Sequence, residues 1–85
     1  RIVGGEKILS KTISVQAVES EIAKSLEKVQ NKFNKLEIGS YPFFRFGKIG
    51  VSIVIRSTKL KQIDLCSEEI INFLKKESIK ITERD

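Results

Sequence analysis

The segment Tyr41-Pro42-Phe43-Phe44-Arg45-Phe46 has the residue types best suited to ligand chemistry: four of the chain's six aromatic residues sit in six positions, around one arginine. Aromatic rings beside a guanidinium can stack on a planar ligand, and aromatic platforms on sheets hold the bases of single-stranded RNA. Rings also fill cores and close protein interfaces. The motif that marks RNA-binding sheets is absent. Two of the four rings are therefore expected in the core, and the others at an interface or against a planar ligand. Tyr41, Phe43, Phe44, Arg45, Phe46 and Lys48 are the candidate contacts.

Lys24, Lys28 and Lys32 recur at helical spacing and could follow a phosphate backbone. Glu21 and Glu27 flank Lys24 at three residues, the pattern of an ordinary solvated helix face. Gly47-Lys48-Ile49-Gly50 is a G-x-x-G string, which KH domains use between two helices to clamp a nucleic-acid backbone. Here it falls between two strand-like segments and reads as a hairpin turn. Arg1-Ile2-Val3-Gly4-Gly5 matches the activation site of trypsin-like proteases, but the chain has no histidine and is too short for such an enzyme. Cys66 lies on an apolar helical stripe and reads as a small buried hydrophobe.

Wider composition narrows the chemistry further. With no His, histidine acid–base catalysis and most zinc enzymes are excluded, and no catalytic or metal residue is assigned. One cysteine cannot form an internal disulfide, which favours a reducing, cytoplasmic setting. No apolar run approaches the roughly 18–20 residues of a membrane span, so no membrane partner is expected. The net charge of +5 is modest for 85 residues and reads mainly as a solubility feature, with nucleic acid a less favoured partner. Such a length fits a single small domain over 1–85, and the start at Arg1 fits a piece of a longer protein.

The elements that must position these residues follow from periodicity. Residues 1–7 read as an irregular lead-in. Over 8–15, Leu9, Ile13 and Val15 alternate with Ser10, Thr12 and Ser14, a strand. Lys11 on its apolar face points to an edge or a strand end. Val18, Ile22, Leu26, Val29 and Phe33 repeat at helical spacing. Leu36 to about Phe46 is extended, though broken by Gly39 and Pro42, and reads as an edge strand or a strand followed by a loop. Val51–Arg56 is the best strand, and the two form a hairpin with a longish tip over 47–50. Ser57 or Thr58 is the expected N-cap of a second helix, striped by Leu60, Ile63, Cys66, Ile70, Phe73 and Leu74. Residues 77–85 are a frayed tail or, over 79–82, a short strand. The predicted fold is α+β, a β-α-β-β-α(-β) two-layer sandwich with two helices on one face of a three- to four-stranded sheet. Its predicted core is Val18, Ile22, Leu26, Val29, Phe33, Val51, Ile53, Ile55, Ile63, Ile70 and Leu74.

Ile38-Gly39-Ser40-Tyr41-Pro42-Phe43-Phe44 resembles a signature near the end of the molybdopterin-binding-like region of CinA-like competence/damage-inducible proteins. It is also similar to the segment that follows the molybdopterin-binding-like domain of FAD synthases. Gly4-Gly5 with Ile8–Ile13, the helix through Glu21, Leu26 and Gln30, and the closing hairpin and helix agree with both, over about residues 4–76. The resemblance implies a C-terminal, KH-like accessory module with no catalytic residue or cofactor of its own. It would pack on an upstream molybdopterin-binding-like domain or a second subunit through the 41–48 region. A nucleotide or molybdopterin-type ligand, and any nucleotide-pyrophosphate hydrolysis, would belong to the larger protein. The competing expectation is a KH-like nucleic-acid module using Lys24, Lys28, Lys32, Lys48 and the Gly47–Gly50 turn.

Overall fold

A computed structural model describes residues 7–84 of the chain. The elements are β1 (Leu9–Gln16), α1 (Glu19–Lys32), β2 (Glu37–Arg45), β3 (Lys48–Ser57), α2 (Leu60–Lys76) and β4 (Lys80–Arg84). The protease-like string and nearly all of the lead-in lie outside the described residues. The predicted α+β class and its element order hold, and 80–84 form a strand rather than a frayed tail.

The strands lie in the order β2-β3-β1-β4, and every neighbouring pair is antiparallel. β1 and β2 therefore run parallel with β3 between them, and β3 and β4 run parallel with β1 between them. Each helix joins two parallel strands that are not neighbours, so the fold is two interlocked split βαβ units, a ferredoxin-like arrangement. Ion-pair and hydrogen-bond partners fix the side on which the helices lie. Lys11 of β1 reaches Asp64 of α2 at 2.7 Å, and Ser40 of β2 donates to Glu19 of α1. Lys11 and Ser40 share a sheet face through the register Lys11↔Ile55 and Ser40↔Ile53. Both helices thus cover one face, and the other is open.

On the covered face Ile13 pairs with Ile53 and Val15 with Val51, all at 0–1 % exposure. Ile22, Leu26 and Val29 of α1 and Ile63, Cys66, Ile70, Ile71 and Leu74 of α2 close over them. Ser25 donates to Glu77 at 2.6 Å and Lys32 pairs with Glu69 at 2.9 Å, so the two helices run antiparallel.

Several expectations need correction. Val18 is 40 % exposed because it stands before α1 in extended backbone, its N–H donating to the Glu21 carboxylate at 3.0 Å. Phe33 ends that helix and is only partly buried. Leu60, at 56 % exposure, begins α2 before the helix reaches the core. Ala17 and Leu36 are buried instead. The N-cap of α2 is Lys59, with Ser57 Oγ accepting its N–H at 3.1 Å, so neither Ser57 nor Thr58 caps the helix. Lys11 lies on an inner strand, not an edge, and the Asp64 carboxylate accounts for a cation on the apolar face. Gly39 and Pro42 do not break β2: it is an edge strand, where a residue without an N–H is tolerated.

The hairpin tip is tighter than its glycines imply. β2 ends at Arg45 and β3 begins at Lys48, leaving Phe46 and Gly47 alone in the turn at φ 51° and 73°. Two successive left-handed residues are the type I′ geometry, which matches strand twist and favours Asn-Gly. Lys48, Ile49 and Gly50 are strand residues, and the G-x-x-G string is not a loop.

Between α1 and β2, Gln30 acts as a clamp. Its amide donates to the Phe33 and Leu36 carbonyls at 3.2 and 2.9 Å, and its oxygen accepts the Ile38 N–H at 3.2 Å. Three backbone groups of the connection are satisfied by one side chain.

Cys66 is fully buried, and burial, with a smaller contribution from Glu69, pushes its thiol pKa up to about 11. Deprotonation is thus coupled to unfolding.

Leu26→Ala and Ile53→Ala are expected to cost about 2–5 kcal/mol in urea unfolding, and Val18→Ala and Leu60→Ala less than about 0.5 kcal/mol. Phe46→Asn should raise stability by roughly 0.5–1 kcal/mol, since Asn accepts a left-handed φ more readily than a phenyl-bearing residue. Stability linked to Cys66 should hold below about pH 9, the ordinary thiol value, and be lost as pH rises through about 11; Cys66→Ala should remove that dependence. Iodoacetamide should label Cys66 only at the rate of unfolding, and rapid labelling of folded protein would contradict its burial.

Candidate functional site

Strand alternation divides the candidate residues between two surfaces. Tyr41, Phe43 and Arg45 of β2 fall on the open face, with Gly39, Ser52, Val54 and Gly50 as neighbours. Phe44 falls on the other face, opposite Ile49, beyond the reach of the helices. Phe46 stands at the turn. None of the four aromatics of this segment enters the core, contrary to expectation.

Two glycines make room for the rings on the open face. A Cβ at Gly39 would meet the Tyr41 hydroxyl at 2.7 Å, and one at Gly50 would collide with the Phe43 ring and the Val15 carbonyl. Tyr41 and Phe43 therefore lie close against bare backbone. Tyr41 remains 49 % exposed and Phe43 is half-buried. The Arg45 guanidinium sits 4.7 Å from the Phe43 ring centroid, a cation–π contact that fixes the guanidinium near the hairpin end. Lys48 faces Arg45 across the ladder.

The tip forms a second, apolar surface. Phe44, Ile49 and Phe46 are 69 %, 52 % and 97 % exposed. Together they form an exposed apolar patch on a projecting hairpin.

The lysine stripe does not act as one unit. Lys32 is paired with Glu69 and lies 6.0 Å from the Phe33 ring. Lys24 and Lys28 are exposed on α1, whereas Lys48 projects from the open face on the far side of the sheet. These lysines therefore do not converge on one ligand.

Two grooves bracket the molecule. One, of about 220 Å³, opens on the open face between the hairpin and β4, lined by Gln16, Phe43, Arg45, Lys48, Lys80 and Glu83 among others. The other, of about 610 Å³, lies at the opposite end, between the α1–β2 and β3–α2 connections. Gln16, Ile49, Lys80 and Glu83 were not singled out from sequence. The alternation over 79–82 marks a strand, but nothing local says that it lies beside β1. Among the described residues no cluster of His, Cys, Asp and Glu could hold a metal, and no helix is long and apolar enough to cross a membrane.

Solved structures with the same fold include two de novo designed proteins. Foldit4 is 24 % identical, covering 92 % of this chain and 93 % of its own, with a TM-score of 0.67. Ferredog-Diesel is 18 % identical, covering 100 % and 90 %, with a TM-score of 0.54. These likenesses show the fold alone. No curated protein matches the chain. The family described as "FAD synthase, middle domain" matches residues 7–83, nearly all of the sequence, in agreement with the similarity seen around Gly39-Ser40-Tyr41-Pro42. The chain belongs to the FAD synthase middle-domain family.

Proposed function

We propose that this chain is a non-catalytic accessory domain that seats a larger, FAD synthase-like protein's parts against one another through its β2–β3 hairpin. The contact is Phe44, Phe46 and Ile49 at the tip, with Tyr41, Phe43, Arg45 and Lys48 beside it. The partner is a neighbouring molybdopterin-binding-like domain or a second subunit, and the setting is cytoplasmic. Nucleotide or pterin chemistry belongs to that neighbour.

The observation that carries this reading is Phe46. It is 97 % exposed and sits at φ 51° in a two-residue turn where Asn or Gly is favoured. Nothing within the domain benefits from a phenyl ring there. A residue that is costly to the fold and bare to solvent is accounted for by a partner that covers it.

The KH-like nucleic-acid reading has less support. Lys48–Gly50 lie in a strand, Lys32 is engaged by Glu69, and Lys48 lies on the other side of the sheet from Lys24 and Lys28.

Association with the neighbouring domain, or with a second copy, can be followed by sedimentation. Phe44→Ala and Phe46→Asn should each weaken it about tenfold, the latter while stabilising the fold. The joint change of Lys24, Lys28 and Lys48 to Glu should have little effect. Unchanged association in both Phe variants would sink the proposal. Micromolar binding of single-stranded RNA that the Lys variant abolishes, with a log–log salt slope near −3 for about four phosphates, would favour the nucleic-acid reading.

A further inference from the structure

We infer that the groove on the open face, between the hairpin and β4, is a binding site for the phosphoryl group of a small phosphorylated ligand. Three cations from three strands border it: Arg45 from β2, Lys48 from β3 and Lys80 from β4. Glu83 is the single anion among the lining residues, so the site carries a net of two positive charges. A phosphate monoester carries about −1.5 to −2 at neutral pH, a close complement.

Three of the cations elsewhere on the molecule are matched internally, while others, such as Lys24 and Lys28, stand exposed on α1. Lys11, Lys32 and Arg56 have carboxylate oxygens at 2.7, 2.9 and 3.7 Å. Among the described residues, Arg45, Lys48 and Lys80 have no carboxylate at ion-pair distance. Arg45 is also held in place by its stack on Phe43, so less side-chain freedom is lost when its fork takes up an anion.

Size and layout select the ligand. At about 220 Å³ the groove has room for about seven waters, below the roughly 300–1,000 Å³ of pockets that swallow whole drug-sized molecules. It suits one charged group, with the rest of the ligand outside, against the exposed Phe46 ring. A nucleic-acid strand fits less well, because strand-binding grooves carry charge along their length. Here the next rows of the open face hold Ser14, Ser52 and Tyr41, then Thr12, Val54 and Gly39. The next charges, Arg56 and Glu37, are paired with each other.

The test is a low-salt titration of the 85-residue chain followed by amide NMR shifts, with inorganic phosphate, adenosine monophosphate and octathymidylate as separate probes. Phosphate and adenosine monophosphate should saturate shifts at Gln16, Lys48, Lys80 and Thr82 with millimolar dissociation constants. Tighter binding of the nucleotide points to a phosphate carried on a planar ligand, and equal binding to free phosphate; both outcomes support the site. Lys80→Gln should weaken binding about threefold or more and Glu83→Gln should strengthen it, while Lys28→Gln leaves it unchanged. Lys80 and Glu83 lie on β4, away from the hairpin tip, so their effect is separable from domain docking. No saturation by about 10 mM, the same affinity in Lys80→Gln, or binding of octathymidylate alone would overturn the inference.

Discussion

The pairing of β1 with β3 puts Ile13 against Ile53 and Val15 against Val51, and the rest of the molecule depends on it. Side chains alternate along a strand, so the same register sends Thr12, Ser14, Ser52 and Val54 to the opposite face. A slip of one residue would exchange the two sets and bury the hydroxyls under the helices. The Ser14–Ser52 hydroxyl contact at 3.1 Å reinforces the register from the polar side. With the fully buried residues Ile13, Val15, Val51, Ile53 and Ile55 of the inner strands all on one face, both helices lie there. The other face is left open, polar in the middle, with aromatic residues only along β2.

From that division comes the separation of the two candidate surfaces. The same strand offers Tyr41, Phe43 and Arg45 to one side and Phe44 to the other. The molecule is elongated, 43 × 26 × 18 Å. Beyond the helices, Phe44 and Ile49 have no layer above them and face solvent although they lie on the covered side. Phe44 and Ile49 therefore lie on the face opposite Arg45 and Lys48, with Phe46 at the turn between the two sets.

Local periodicity made most of this architecture legible. The stripes Ile22-Leu26-Val29 and Ile63-Cys66-Ile70-Leu74 identify two amphipathic helices, and β-branched residues over 51–55 identify the central strand. What it could not supply was set by partners distant in sequence. Lys11 reads as an edge or strand-end residue because Asp64, the carboxylate that holds it on an inner strand, is 53 positions away. Val18 and Leu60 continue their apolar stripes but stand where the helices begin, before the core is reached. The tip was misjudged because Gly50 reads as a turn glycine, whereas it is needed in mid-strand to seat the Phe43 ring. The groove was not visible at all, since it depends on β4 lying beside β1. Gln30 could be noticed in sequence, but its role as a clamp needs the conformation of the connection it holds.

The placement of β1 has a consequence for synthesis on the ribosome. Among the described strands it is made first yet lies inside the sheet, and both of its partners come late: Ser14 meets Ser52 after 38 residues and Thr82 after 68. At about 5–20 residues per second, roughly 3–14 s pass between emergence of the two ends of that last contact. Meanwhile α1 and the β2–β3 hairpin can form from local contacts, while the apolar side of Ile13 and Val15 waits. The apolar face of β1 is open to chaperones until β4 emerges, so closure of this fold follows synthesis of all four of its strands.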